Sequence, residues 1–198
     1  LKYVAVDPDI QVLAIHMEGL NQGKDFLPLA ARVVKEKPIV VHKSGRSETG
    51  AKAAMSHTGS LAGNYKLLQA ALKQTGVTFL EEGGQMPYAV KTLRNLPPMK
   101  GNRVAVITYS GGAGIMISDG LEKHGFRLAF LSSEVIDQVA ALSPGWMPLS
   151  NPLDIWPAVM MHGARKAYSV ALKAVLKNPH VDGIICVAIA PLPEFSFL

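Results

Sequence analysis

Short apolar runs alternate with segments of helical periodicity along most of the chain. The runs are apolar at nearly every position, which is typical of parallel strands that helices bury on both faces. The predicted strands are residues 12–17, 38–42, 77–80, 103–108, 127–131 and 183–190. The predicted helices cover about residues 61–75, 86–94, 113–124, 134–142 and 164–177, and one more carries Phe26, Leu29, Ala30, Val33 and Val34 on one face. This alternation predicts an α/β chain with two flavodoxin-like, Rossmann-like parallel sheets.

The segment NLPPMKGN, residues 95–102, interrupts the alternation as a linker does. We therefore expect two domains, over residues 1–96 and 101–198. The chain starts without Met at LKYVAVDPDI, which resembles the end of a helix and a turn, and it stops at PLPEFSFL, just past a predicted strand. Both domains are expected to be truncated, the first without its first strand and the second without its C-terminal part.

Composition excludes several classes of protein. The formal net charge of +5 and the pI near 9.3 suit anionic ligands, but the basic residues are scattered and no block of them alternates with aromatic residues, which argues against a nucleic-acid partner. No apolar stretch approaches the roughly 18 residues of a membrane span. The single cysteine, Cys186, lies in the apolar run IICVAIA and is predicted to be buried. One thiol forms no internal disulfide, and a reducing cytoplasm fits best.

Ligands of open parallel sheets gather where the strands end at their carboxyl termini. One such end in the second half is TYSGGAG, residues 108–114, where a predicted strand turns into a helix. The small residues Gly111, Gly112, Ala113 and Gly114 let backbone N–H groups approach an anion, and a helix N-terminus adds partial positive charge. The stretch matches neither GxGxxG nor a P-loop, so it predicts either a phosphate cradle or a tight turn that binds nothing.

A second candidate is His57, in the run SHTGSLAG after another strand end. It is a solvated loop residue, a metal ligand, the base of a hydrolase or a carrier of a phosphoryl group. No second His, Cys or acidic residue stands at the spacing of a helical metal site, the other histidines are dispersed, and GSLAG places its serine one position too early for G-x-S-x-G. In the predicted loop, residues 43–60, the hydroxyls of Ser56, Thr58 and Ser60 are expected to donate hydrogen bonds to phosphoryl oxygens, and the glycines permit the loop to move. This favours the phosphoryl carrier over the solvated loop.

Four motifs together resemble a known family. KSGRSETGAKAAMSHTGSLAG, the upstream IHMEG, the downstream RVAVITYSGGAGIMISDGLEKHG and NPLD are similar to the nucleoside-diphosphate-forming acyl-CoA synthetases, relatives of succinyl-CoA synthetase. The resemblance implies ligase domains that work beside a CoA-binding domain and an ATP-grasp domain, of the same chain or a partner subunit, in an oligomer. It also implies coenzyme A, ATP or ADP and Mg²⁺, bound mostly outside this chain, and an acyl-CoA or carboxylic acid as substrate.

The resemblance also assigns roles to residues. It implies that His57 takes the phosphoryl group of an acyl phosphate and that Glu18 orients its imidazole. It further implies that the turn at 111–114 holds the phosphorylated histidine. For Lys43 and Arg46, two roles stay open: contact with phosphate or CoA, or simple solvation. For Asn151 and Asp154, the alternatives are a substrate-facing loop or only an Asx-Pro turn. The resemblance also leaves an alternative function from a different class of protein. In that alternative, the same domains form a CoA-sensing regulatory module fused to a protein acetyltransferase.

Overall fold

The computed structural model of the chain describes residues 1–58 and 64–188, with His57 and Thr58 described by their backbone alone. The chain divides into two compact units, Leu1–Pro98 (unit 1) and Met99–Leu198 (unit 2). Each unit contains a parallel sheet packed with helices, which confirms the predicted α/β fold class. In the described part of the chain, no helix is both long and apolar enough to cross a membrane.

Unit 1 contains a parallel sheet in the order β1-β2-β3. Its elements are α1 (Lys2–Ala5), β1 (Leu13–Met17), α2 (Gly23–Val33), β2 (Ile39–Lys43), α3 (Glu48–Thr58), α4 (Tyr65–Gln74), β3 (Thr78–Leu80), a 3₁₀ turn (Gly83–Gln85) and α5 (Met86–Asn95). Strand β2 is central and apolar, and Ile39 and Val41 pack with Ala30 and Val33 of α2 and Leu72 of α4. The three strand runs predicted for this half are confirmed within one or two residues at each end.

The predicted loop over residues 43–60 is wrong between Glu48 and Thr58, which form α3. Ser47 caps this helix, because its Oγ accepts a hydrogen bond from Gly50 N at 3.0 Å and its carbonyl accepts one from Ala51 N. Three alanines in the segment ETGAKAAMSHT favour the helix, and their propensity outweighs the Gly, Ser and Thr residues that suggested a loop. The helix predicted from Leu61 begins instead at Tyr65, and residues 59–63 lie outside the described part.

Unit 2 is built around strand β4, which is paired on both sides. Its elements are β4 (Arg103–Thr108), α6 (Gly111–Lys123), β5 (Arg127–Leu128), α7 (Ser133–Ala140), β6 (Leu153–Asp154), α8 (Trp156–His162), α9 (Ala164–Leu176) and β7 (Gly183–Cys186). The start of β4 pairs with β5 and its end pairs with β6, while β7 pairs along most of its length. All of these pairings are parallel, so the carboxyl ends of β4, β6 and β7 lie at one edge.

The alternation of side chains along β4 separates two apolar layers. Ala105 and Ile107 belong to the core formed with α7, α8 and α9, whereas Val104 and Val106 pack against Leu121 of α6. Both faces of the strand are therefore buried, as its continuous apolar run predicts.

Three expectations for unit 2 are corrected by the structure. The strand predicted over 127–131 pairs only at Arg127–Leu128, and the Pro-rich loop contains the short strand β6 and the helix α8. Cys186 is exposed and not part of the core, because it lies at the end of β7. Residues 189 and 190 of the predicted last strand lie outside the described part.

A bidentate ion pair joins the start of β4 to the residue before β7. Arg103 Nε and Nη2 donate to the two carboxylate oxygens of Asp182, each at 2.8 Å, and Arg103 N donates to Oδ2 at 3.0 Å. These bonds hold the pKa of the Asp182 carboxyl far below its ordinary value. A Cβ at Gly101 would lie 2.4 Å from Asp182 Oδ2, so only glycine fits beside the pair.

We expect Asp182→Asn to lower the thermal midpoint of unit 2 by several degrees at pH 7. Because the folded pKa of Asp182 is depressed, its stabilisation is complete above the unfolded pKa of about 3.9 and is lost as the pH falls below that value. The difference between the wild type and the variant should therefore shrink from pH 5 towards pH 2. Tryptophan fluorescence reports on unit 2 alone, since Trp146 and Trp156 are the two tryptophans of the chain.

The matched control is Asp137→Asn, which removes an exposed carboxylate on α7. It should change the midpoint little at any pH. A loss of stability in Asp182→Asn that stays constant down to pH 2 would contradict the assignment.

Candidate functional site

The carboxyl edge of the sheet in unit 1 gathers polar groups from all three strands. Glu18 directly follows β1, and its Oε2 atom is buried. Lys43 ends β2, opposite Met17 in the strand register, and Ser44 N donates to Met17 O at 3.1 Å. The backbone pairing of β1 and β2 thus continues into the turn and places Glu18 and Ser44 at neighbouring strand ends.

Lys43 is more buried than its predicted role suggests. Its side chain is 1% exposed, its Nζ donates to Ser44 O at 2.8 Å, and the ammonium lies 5.7 Å from the centroid of the Tyr65 ring. Burial lowers the pKa of the Lys43 ammonium. Lys43 is therefore not a solvated loop lysine but a buried cation at the edge of the site.

Arg46 lies at the surface of the same edge. Its guanidinium is 3.6 Å from Glu81 Oε2, and more than half of each side chain is exposed. Such a pair contributes little to stability and separates easily, so Arg46 is available to an anionic ligand.

A pair of histidines stands on the same edge and was not foreseen. His16 and His42 are opposite each other in the register of β1 and β2, their Nδ1 atoms are 3.0 Å apart, and their ring centroids are 5.0 Å apart. Burial and the neighbouring His16 lower the pKa of the His42 imidazole, and the Glu82 carboxylate opposes that change. Only the register of two parallel strands reveals this pair, because 26 positions separate the residues.

His57 belongs to the last turn of α3, and its side chain and that of Thr58 lie outside the described part. The predicted contact between Glu18 and His57 is therefore not described either. Ser56, predicted to bind phosphoryl oxygens, donates its hydroxyl to Ala53 O at 2.8 Å within the helix. None of the described side chains of α3, residues 48–56, is buried.

Unit 2 begins α6 at the predicted phosphate cradle. Ser110 caps the helix through a bond from Ala113 N to its Oγ at 3.4 Å, and Gly114 N donates to Ser110 O. The N–H groups of Gly111 and Gly112 have no acceptor among the residues that the structure describes. Nothing would lie within 4 Å of a Cβ at Gly112, so this side of the helix start is open. Two N–H donors with partial positive charge are therefore available to an anion there.

Asp154 stands beside this helix start at the end of β6. Its Oδ1 accepts a hydrogen bond from Trp156 N at 3.0 Å, which is an Asx turn, and its Oδ2 would lie 3.1 Å from a Cβ at Gly111. The Asp154 carboxylate therefore lies close against Gly111, and Gly112 is the residue that leaves room for a ligand. Asp154 therefore forms an Asx turn, and its part in a substrate-facing loop stays a prediction.

Asn151 has a structural role. Its Oδ1 accepts a bond from Val106 N at 2.9 Å, and its Nδ2 donates to Val104 O and Ala129 O, each at 2.9 Å. The amide therefore bridges β4 and the chain after β5, where no strand pairs with the middle of β4 on that side. A substrate-facing role is not supported for Asn151, since these bonds occupy both ends of its amide.

Comparison with known proteins gives the family context of these geometries. Residues 1–93 match the succinyl-CoA ligase like flavodoxin domain. The chain is 38% identical over 185 residues to the ADP-forming acetate–CoA ligase II of Archaeoglobus fulgidus, covering 93% of this chain and 27% of that protein. It is 35% identical over 192 residues to the alpha subunit of the ADP-forming acetate–CoA ligase II of Pyrococcus furiosus, covering 96% of this chain and 41% of that subunit.

A solved structure is also similar. The dinucleotide forming acetyl-coenzyme A synthetase 1 of Ca. Korarchaeum cryptofilum, in complex with phosphate and ADP, has a TM-score of 0.82 and 34% identity. The match covers 93% of this chain and 39% of that one. The chain thus spans less than half of the length of these relatives.

The two adjacent glycines of the cradle provide a matched pair of variants. Gly112→Ala should stabilise unit 2 by up to about 1 kcal/mol, because alanine favours the helix and its Cβ meets no atom. Gly111→Ala should be less stable than Gly112→Ala by about 1 kcal/mol, since its Cβ crowds the Asp154 carboxylate and offsets the helical gain. Urea unfolding followed by tryptophan fluorescence measures both. Equal stabilities of the two variants would show that Asp154 does not require Gly111.

Proposed function

Because the chain belongs to the nucleoside-diphosphate-forming acyl-CoA synthetase family, we propose that it forms part of an acid–thiol ligase with His57 as its phosphoryl carrier. The enzyme would interconvert acyl-CoA, ADP and phosphate with a carboxylic acid, CoA and ATP. The observation that carries this proposal is the extent of the similarity, over nine-tenths of the chain, to ADP-forming acetate–CoA ligases.

In the proposed step, one imidazole nitrogen of His57 attacks the phosphorus of an acyl phosphate. The N–P bond forms as the bond from phosphorus to the acyl oxygen breaks, and the carboxylate leaves with that electron pair. A later attack by the β-phosphate oxygen of ADP breaks the N–P bond and returns the imidazole. The carrier residue must therefore meet two partners in turn, which requires that it move.

The packing of α3 supports such a movement. The helix that carries His57 contributes no buried side chain over residues 48–56, so displacing it from unit 1 removes little apolar area from the core. The proposed moving part is then the helix α3, not the loop that the sequence suggested. Ser56 would bind a phosphoryl oxygen only after its hydroxyl leaves Ala53 O.

Glu18 is the proposed orienting acid. Its position directly after β1 and the burial of its Oε2 atom provide a carboxylate at the strand end with one oxygen shielded from water. A hydrogen bond from one ring N–H of His57 to this carboxylate would leave the other nitrogen free to attack. The carboxylate would also stabilise the positive charge that the ring gains.

The open N–H groups of Gly111 and Gly112 are the proposed phosphoryl-binding donors of unit 2. Within unit 1 by itself, Lys43 is the proposed buried contact for phosphate or CoA, and Arg46 is the proposed exposed one. Mg²⁺ and the nucleotide would supply charge neutralisation and the acceptor phosphate, and we assign their sites and that of CoA to other domains of the enzyme, in the same chain or in a partner subunit.

The proposal is tested by labelling the complete protein with γ-labelled ATP and Mg²⁺. His57→Asn should abolish the label and the turnover, because no other residue carries the phosphoryl group. Glu18→Gln should slow labelling by about 10² to 10⁴, the range typical of a positioned acid or base. The label should be stable to alkali and labile to acid, as expected for phosphohistidine and opposite to phosphoserine at Ser56.

The control is His162→Asn, which replaces an exposed histidine at the end of α8. It should label at the wild-type rate. If the His57→Asn protein makes ATP at the wild-type rate, the phosphohistidine mechanism is wrong. If the complete wild-type protein neither takes up label nor makes ATP, a CoA-sensing module becomes the better account.

A further inference from the structure

We propose that His16 and His42 form a binding site for a late first-row divalent cation, such as Zn²⁺ or Cu²⁺, at the carboxyl edge of the sheet in unit 1. The proposal is independent of the proposed function, because it depends on neither His57 nor Glu18. It also revises the sequence-based expectation of no metal, which was based on the dispersal of the histidines along the chain.

The strand register provides the first support. His16 and His42 are direct partners in the parallel pairing of β1 and β2, so both side chains project from the same face of the sheet. The rings are tilted by 36° with their Nδ1 atoms 3.0 Å apart. Five consecutive register pairs join the two strands, so the backbone of both ligands is held rigidly.

The distance between the two nitrogens suits a shared ion. Two nitrogens that each lie about 2.0 to 2.1 Å from one metal are about 2.9 Å apart at a right angle and about 3.3 Å apart at a tetrahedral angle. The observed 3.0 Å falls between these values. The strand register thus already holds the two nitrogens at a separation that suits one bridging ion.

The surroundings pack closely against the His42 ring and leave the His16 ring accessible to solvent. A Cβ at Gly83 would lie 3.3 Å from His42 Cε1, so the turn after β3 packs closely against that imidazole. His16 is exposed, which gives an ion and its water molecules access to the pair. Glu82 is near enough for its charge to act on His42, and that negative charge favours a bound cation.

The ligand chemistry selects the kind of ion. No group of three or more His, Cys, Asp or Glu side chains in the described residues is arranged to hold a metal, so the pair supplies two nitrogens and water completes the coordination. Imidazole nitrogens suit Zn²⁺, Ni²⁺ and Cu²⁺, with Cu²⁺ bound most tightly, whereas Mg²⁺ prefers oxygen ligands. The site would therefore not bind the Mg²⁺ that accompanies a nucleotide.

The experiment titrates the 198-residue chain with Zn²⁺ and separately with Cu²⁺ at pH 7.5, by calorimetry, with Mg²⁺ as the reference ion. In the wild type, the His16–His42 site should bind one equivalent of each transition ion, with a higher affinity than any other site on the chain. His16→Gln and His42→Gln should each weaken that binding at least tenfold, and the double variant should lose it. The control His162→Gln should bind like the wild type.

Pulsed electron paramagnetic resonance of the Cu²⁺ complex provides a readout that does not depend on the variants. Two coordinated imidazoles in the wild type, and one in either single variant, support the proposal. The proposal is overturned if the wild type shows fewer than two imidazoles at one equivalent of Cu²⁺. It is equally overturned if the double variant binds either ion as tightly as the wild type, which would leave the 3.0 Å contact as an ordinary hydrogen bond.

Discussion

The parallel hydrogen bonding of the strands is the constraint on which the other features depend. Parallel neighbours need a crossover from the end of one strand to the start of the next, so every strand in a unit ends at the same edge. Residues far apart in sequence therefore meet there, as Glu18 and Ser44 do in unit 1 and Thr108 and Asp154 do in unit 2. The central strands β2 and β4 are mostly apolar and buried, which leaves the carboxyl edge as the place where polar residues collect.

The polar side chains inside the two units differ in how many hydrogen bonds they form. The amide of Asn151 bonds three backbone groups, and Arg103 and Asp182 bond each other at two pairs of atoms, so these residues complete the structure around β4. Lys43 is less exposed to water than Arg103, and in the described part of the chain its ammonium donates to Ser44 O and faces the ring of Tyr65. Burial lowers the pKa of this ammonium, because desolvation disfavours its charged form.

Helix α3 forms regular secondary structure but is only weakly anchored to the core of unit 1. Its alanines and its Ser47 cap suffice to form a helix, yet its described side chains contribute nothing to the core of unit 1. A segment of this kind keeps its local shape while its position is only weakly determined. That combination would suit the carrier role proposed for His57, because a weakly anchored helix moves without losing its backbone conformation.

The sequence by itself determined the strands of unit 1 and β4, the α/β class, the interruption at 95–102 and the family resemblance, because each depends on local hydrophobic periodicity or on contiguous motifs. It did not determine α3, where helix propensity and turn-forming residues conflict within eleven positions. Tertiary structure alone decided that His16 faces His42, that the Asp154 carboxylate lies against Gly111 and that Cys186 is exposed. These depend on strand register and on which segments cover which edge, and both are set by packing between residues distant in sequence.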